Sequence, residues 1–219
     1  MRDIIKKYNE APKVPEELYE FLHSHFLVPL DITIDDFAEE QFELCAEAFY
    51  VWGDNRPDLV NRKGMALVNL NGEITANDIS IGPLDHHNKK YDQGLVEECY
   101  LETHFTKHTP MLQGVLEPLT QFDLCRSSIL WWKTGDNFVA HTDVVRPTVN
   151  LRLWGATNNN VDLRYGDSMT KAEFEPNRLY LIDTSIIHDA CAYGEVYQYF
   201  IGLLPTEKNY SFLKKIKIN

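Results

Sequence analysis

The chain has 219 residues, 44% apolar and 25% charged, the make-up of a folded globular protein that buries about 70% of its unfolded surface. With 21 Lys and Arg against 33 Asp and Glu, the net charge is −12, which disfavours a broad basic surface for nucleic acid or an anionic membrane. No stretch reaches the ~20 apolar residues of a bilayer-spanning helix, and residues 1–10 lack the apolar run of a leader, so the expectation is a cytoplasmic protein with neither membrane nor nucleic-acid partner.

The first half reads as helical or mixed. Residues 15–25 place Leu18, Phe21 and Leu22 at helical spacing behind Pro15. Residues 35–50 do the same with Ala38, Phe42, Cys45 and Phe49, and Asp35 is the expected N-cap. The stretch 61–68 is expected to cover the mouth of whatever the second half builds. A third helix is predicted over 109–122, started by Pro110.

From Arg126 the texture becomes that of strands. Residues 127–133 are rich in Ile, Leu and Trp, and residues 148–154 alternate apolar with polar. Runs at 161–165, 172–174 and 178–183 follow, then one after Ile186 and one at 196–204. Turn signals separate them at 158–160, 166–167 and 176–177. Short strands at this spacing indicate an antiparallel sandwich or barrel. The division expected is one domain over 1–219: a supporting region at 1–124, a β core at 125–205 and a tail at 206–219. Cys45, Cys99, Cys125 and Cys191 are scattered without a CxxC pair, so they read as reduced thiols.

One constellation carries chemistry. His141 and Asp143 form an HxD pair just after an apolar strand, and His188 follows 45 residues beyond Asp143, at another strand edge. On extended backbone, residues i and i+2 share a face, so imidazole and carboxylate converge. Two histidines and one carboxylate make the facial triad of non-haem Fe(II) oxygenases, which leaves positions open for a cosubstrate and O₂. The same three residues also fit a loop cap, a turn aspartate and a satisfied core histidine.

The segments 131–143 and 148–154 resemble the core of Fe(II)/2-oxoglutarate-dependent dioxygenases. Residues 176–188 are similar to the strand–Asp–x–Ser–x–x–His segment of the aspartyl/asparaginyl β-hydroxylase and free-proline hydroxylase branch. The resemblance covers about residues 125–205. It implies a double-stranded β-helix (a cupin-like jelly roll), with Fe(II) on His141, Asp143 and His188 and 2-oxoglutarate as cosubstrate. The implied reaction is hydroxylation of a C–H bond on an amino acid or peptide side chain, with succinate and CO₂ released. The retained Asp143 argues against halogenation. The family sets an Arg about ten residues after the distal His, and here that residue is Gln198. Gln donates a hydrogen bond but carries no charge. Arg152, on the strand after the HxD pair and opposite in face to Leu151 and Leu153, is the expected replacement anchor.

Asp183 is a candidate to orient a histidine ligand, and equally a strand-end turn residue. Trp132, Trp154, Arg164 and Arg62 are candidates for the substrate pocket. Trp131, Tyr165 and Lys133 are weaker ones, since strand aromatics are mostly core. His104 and His108 lack the Glu of an HExxH zinc helix, because Phe105 stands there. No GxSxG elbow or Gly-rich phosphate loop occurs. The competing class is a cupin-like protein that binds metal or a small anion without oxygenation.

Overall fold

The computed structural model describes residues 15–34, 38–51, 62–69, 71–73, 75, 79–82, 84–92, 94–95, 104–105, 116–143 and 151–215. Along the chain these form α1 (Glu16–His23), β1 (Leu27–Thr33), α2 (Ala38–Leu44), β2 (Tyr50–Val51), β3 (Lys63–Asn69), α3 (Leu84–Tyr91) and β4 (His104–Phe105). The second half supplies β5 (Leu124–Trp132), β6 (Asn137–His141), β7 (Leu151–Ala156), β8 (Val161–Tyr165), β9 (Thr170–Lys171), β10 (Arg178–Ile182), β11 (His188–Ala192), β12 (Val196–Leu203) and α4 (Glu207–Leu213).

Two antiparallel sheets face each other. The larger runs β1-β10-β7-β12-β5-β3-β2, with β4 also paired to β3, and the smaller runs β6-β11-β8-β9. Strands β5 to β12 alternate between the sheets except at β8 and β9, which are hairpin neighbours in the smaller one, and they pair first against last and second against last but one. That order, β10-β7-β12-β5 over β6-β11-β8-β9, is the eight-stranded jelly roll. β1 and β3 widen its larger sheet.

Strand alternation sorts the side chains into two cores. Leu153, Tyr199 and Ile201 face outwards and pack with Leu18 and Leu22 of α1, Phe42 of α2 and Leu213 of α4. Trp132, Trp154, Tyr180 and Val196 face inwards, between the sheets, with Leu163 and Ala190 from the smaller one. β12 lies between β5 and β7 and is buried on both faces, which explains its near-continuous apolar sequence. Geometry requires glycine at Gly135 and Gly202, for different reasons. Gly135 (φ +90°) turns β5 into β6, where Asp136 N–H donates to Lys133 O and Lys133 N–H to the Asp136 carboxylate. Gly202 lets β5 approach: a Cβ there would lie 2.5 Å from Cys125 Sγ and 2.7 Å from Arg126 O.

Several expectations need correction. The stretch 63–69 does not cover a mouth; it is β3, paired along β5 with Gly64 opposite Leu130. The helix expected over 35–50 is α2 alone, followed by a 3₁₀ turn at Ala46–Ala48 and then β2, because Tyr50 and Val51 pair with Gly64 and Lys63. Its expected cap, Asp35, lies outside the described residues, as do 109–115 of the third helix. The described part of that helix is a 3₁₀ turn, Glu117–Leu119, containing Pro118. The run at 172–174 is not a strand; pairing ends at Lys171. The expected tail contains α4, where Thr206 Oγ1 accepts from Asn209 N–H as a side-chain N-cap. Among the described residues, Cys45, Cys125 and Cys191 are free thiols, and burial raises the pKa of Cys45.

Candidate metal centre

β6 ends on His141 and β11 begins on His188, and the two are register partners in the smaller sheet. Their rings lie 4.5 Å apart between centroids. Each imidazole is oriented by backbone two residues earlier: Nδ1 of His141 donates to Val139 O at 2.7 Å, and Nδ1 of His188 to Ile186 O at 2.8 Å. A carbonyl can only accept, so the proton sits on Nδ1 and Nε2 keeps its lone pair. This is the hydrogen-bonded arrangement that ligating histidines adopt, with carbonyls in the role expected of Asp183. Asp183 instead accepts from Ser185 N–H and Oγ, an Asx turn that shapes the loop before His188.

Asp143 N–H donates to Thr184 O at 2.8 Å, which ties the HxD loop to the loop leading into His188. The carboxylate has Oδ1 3.8 Å from His141 Nε2 and Oδ2 3.6 Å from an Arg152 guanidinium nitrogen. Burial pushes the Asp143 pKa up, but Arg152, His188 and His141 together hold it below the usual carboxylate range. His188 is shifted down, chiefly by burial and further by the charge of His141 and Arg152, which favours the neutral, ligating imidazole.

The three side chains line one cavity of about 550 Å³ between the sheets. A divalent metal ion suits this donor set in kind: two imidazoles with Nδ1 bonded to a carbonyl, and one carboxylate. Among the described residues, no three His, Cys, Asp or Glu side chains are closed tightly enough to hold an ion as they stand. Asp143 stands between His141 and Arg152, at 3.8 and 3.6 Å.

Arg152 faces the cavity, as its alternation with Leu151 and Leu153 requires. It pairs with Gly202 of β12 and Ile182 of β10, at the level of the triad. Gln198 pairs with Ala156, four residues away along the same strands, or roughly 13 Å. The two therefore serve opposite ends of the cavity. Trp132 and Trp154 also line it. Arg164 does not: it projects from β8 away from Leu163 and forms a bidentate pair with Asp189, at 2.8 and 2.6 Å. Arg62 is fully buried behind the wall, its guanidinium 3.7 Å from the Phe138 ring centroid and 5.1 Å from that of Trp132. Trp131 faces outwards, stacked on Tyr197, with Lys133 over its ring. Tyr165 stacks on Phe26 at 4.5 Å.

Some lining residues had no sequence signal. Ser80, Gly82 and Leu84 belong to the first half and reach the cavity only through folding. Arg126 of β5 lines it too and donates to Gly82 O at 2.6 Å. Phe26, whose ring centroid lies 5.9 Å from that of His188, packs against the triad from the start of β1.

No protein-family model matches the chain, and no curated protein matches it. Solved structures do. A cupin superfamily protein from Desulfitobacterium hafniense is 15% identical, with a TM-score of 0.30 over 37% of this chain and 69% of that one. YcfD, a ribosomal oxygenase from Escherichia coli, is 16% identical, with a TM-score of 0.34 over 49% of this chain and 31% of its own. The salicylate 1,2-dioxygenase of Pseudoaminobacter salicylatoxidans is 9% identical, with a TM-score of 0.30 over 40% and 24%. The fold is cupin-like. Strand order carries that assignment, and the matched region spans less than a third of either oxygenase. Among the described residues, no helix is long and apolar enough to cross a membrane.

Proposed function

We propose that this chain is an Fe(II)- and 2-oxoglutarate-dependent dioxygenase that hydroxylates a C–H bond of an amino acid or peptide side chain, with succinate and CO₂ as coproducts. One observation carries the reading. Two register-paired histidines, each with Nδ1 committed to a backbone carbonyl, present Nε2 to a cavity that an ionised Asp143 also lines. Iron bound there supplies O₂ activation coupled to oxidation of the cosubstrate. The chain's own residues do the rest. His141, His188 and Asp143 would hold the ion, and the carbonyls of Val139 and Ile186 fix the rings. Arg152 keeps Asp143 ionised and offers positive charge to an anionic ligand beside the triad. Trp132, Trp154 and Phe138 wall the inner cavity against water. The volume suits a small cosubstrate with a free amino acid or one peptide side chain.

The test is anaerobic. Fe(II) and then 2-oxoglutarate are added to the protein while the visible metal-to-ligand charge-transfer band is followed. A band that saturates with 2-oxoglutarate is expected. Bound iron without such a band overturns the cosubstrate and favours the second reading, a cupin-like protein that binds metal or a small anion without oxygenation. The feature that favours this second reading is Gln198, an uncharged group in the place of the family's Arg. Absence of iron binding overturns the oxygenase and, of the second reading, leaves only the binding of a small anion.

A further inference from the structure

We infer that the end of the cavity remote from the triad holds its ligand through two uncharged donors, Trp132 Nε1–H and Gln198 Nε2–H, in place of an ion pair. The inference rests on the cosubstrate reading above. Trp132 and Gln198 both line the cavity and are 0% and 1% exposed. Val196 pairs with Trp132 and Gln198 with Leu130, so the two inward side chains are diagonal neighbours on adjacent strands.

The Gln198 amide has one allowed orientation. Trp154 Nε1–H donates to Gln198 Oε1 at 3.0 Å, and an indole N–H cannot accept. The amide oxygen is therefore fixed on Trp154, and the amide nitrogen is turned elsewhere. That nitrogen, Nε2, and Trp132 Nε1 are both buried without a hydrogen-bond partner. A buried donor left unmade is destabilising, so two such donors on one cavity wall mark a place built for an acceptor. The buried guanidinium of Arg62 lies over the rings of Phe138 and Trp132, 3.7 and 5.1 Å from their centroids.

The ligand class follows. One end is a 2-oxo acid at the triad; the other presents a carbonyl-type oxygen. Neutral N–H groups donate to the oxygen of a carboxamide nearly as well as to that of a carboxylate, whereas a guanidinium fork favours the carboxylate strongly. The cavity should therefore tolerate 2-oxoglutaramate, the 5-amide, in place of 2-oxoglutarate.

The experiment is calorimetric titration of the full-length, Fe(II)-loaded protein, without oxygen, with each of these two compounds. The wild-type constants are expected within about fivefold of each other. Trp132→Phe keeps the ring and removes the donor; Gln198→Leu removes the amide. Each should weaken both ligands roughly three- to tenfold while iron affinity stays constant. Gln198→Arg should bring back a preference for the dicarboxylate of about tenfold or more. Unchanged affinities in both Trp132→Phe and Gln198→Leu overturn the assignment, as does a wild-type preference for 2-oxoglutarate above about 100-fold, which would require a cation at that end. If neither compound binds the iron-loaded protein, the cosubstrate reading itself fails and takes this assignment with it.

Discussion

On β7, Leu153 faces the helices while its neighbours Arg152 and Trp154 face the cavity. β12 repeats the division, with Tyr199 and Ile201 outside and Gln198 and Phe200 inside. The two faces of the large sheet obey different rules. The outer face is closed by α1, α2 and α4 and is packed mainly by apolar side chains. The inner face keeps an arginine, a glutamine and unmet indole and amide donors around an open volume. A period of two lets one strand maintain the fold on one side and the chemistry on the other.

The sharpest break of that comparison is one substitution on each face. Leu153→Ala empties a fully buried outer position and should cost roughly 2–5 kcal/mol by urea unfolding. At about 2–4 °C per kcal/mol for a chain of this size, Tm falls by several degrees or more. Iron affinity per folded molecule should not change. His188→Ala should do the reverse. Its effect on Tm should be small beside that of Leu153→Ala, and iron affinity should fall by more than the roughly 10–100-fold that loss of an outer-shell partner costs. Equal iron affinity in His188→Ala and wild type would remove the triad assignment.

How much of this was legible depends on which signal a residue carries. Of the eight strands of the jelly roll, β5, β7, β8, β10, β11 and β12 coincide with the apolar or alternating runs and turn signals of the sequence, whereas β6 and the short β9 do not. β1 had the alternation too, with Val28, Leu30 and Ile32 buried and Pro29, Asp31 and Thr33 exposed. Pro29 disguised it, yet a proline is tolerated because β1 lies at the sheet edge. β3 gave no period-two signal, since Gly64 to Asn69 are buried on both faces. Thr206 was a readable cap for α4, three residues before the Asn209 whose N–H it accepts. At the site, the HxD pair and the distal His were legible as residue types at a spacing. That His141 and His188 are register partners, that Asp183 serves a turn and that Arg164 pairs with Asp189 all depend on pairing between distant strands. No local pattern reports that.

Arg152 separates the inner face further. Arg152→Ala should weaken 2-oxoglutarate by about tenfold, as expected for a charge-assisted contact, measured by the charge-transfer titration. It should also move a pH limb. Burial raises the Asp143 pKa, and Arg152 is the largest of the charges that pull it below normal. A depressed carboxyl supports iron binding above its pKa and loses that support as pH falls through it. Without Arg152 the pKa rises, so iron binding should fail at a higher pH than in wild type. An unmoved acid limb would show that Arg152 does not set the charge of Asp143.

The smallest expected effect lies on the outer side, where α4 is tied to the start of β5. Lys208 Nζ lies 2.9 Å from one Asp123 oxygen, and Thr206 Oγ1 donates to the other at 2.8 Å. Partial burial works against the ionised carboxyl, but these two bonds and the lysine charge win, and its pKa is lowered. The pair is half exposed at the lysine, so Asp123→Asn should cost below about 1 kcal/mol at neutral pH. A lowered pKa contributes stability above the unfolded value of about 4, and that contribution disappears as pH falls through the folded one. The difference between wild type and variant should therefore close below about pH 4 while persisting at pH 7, when both are unfolded in urea across that range. A gap that stayed constant with pH would mean that Asp123 acts through its shape and neutral hydrogen bonds, as the rest of the outer face does, and not through its charge.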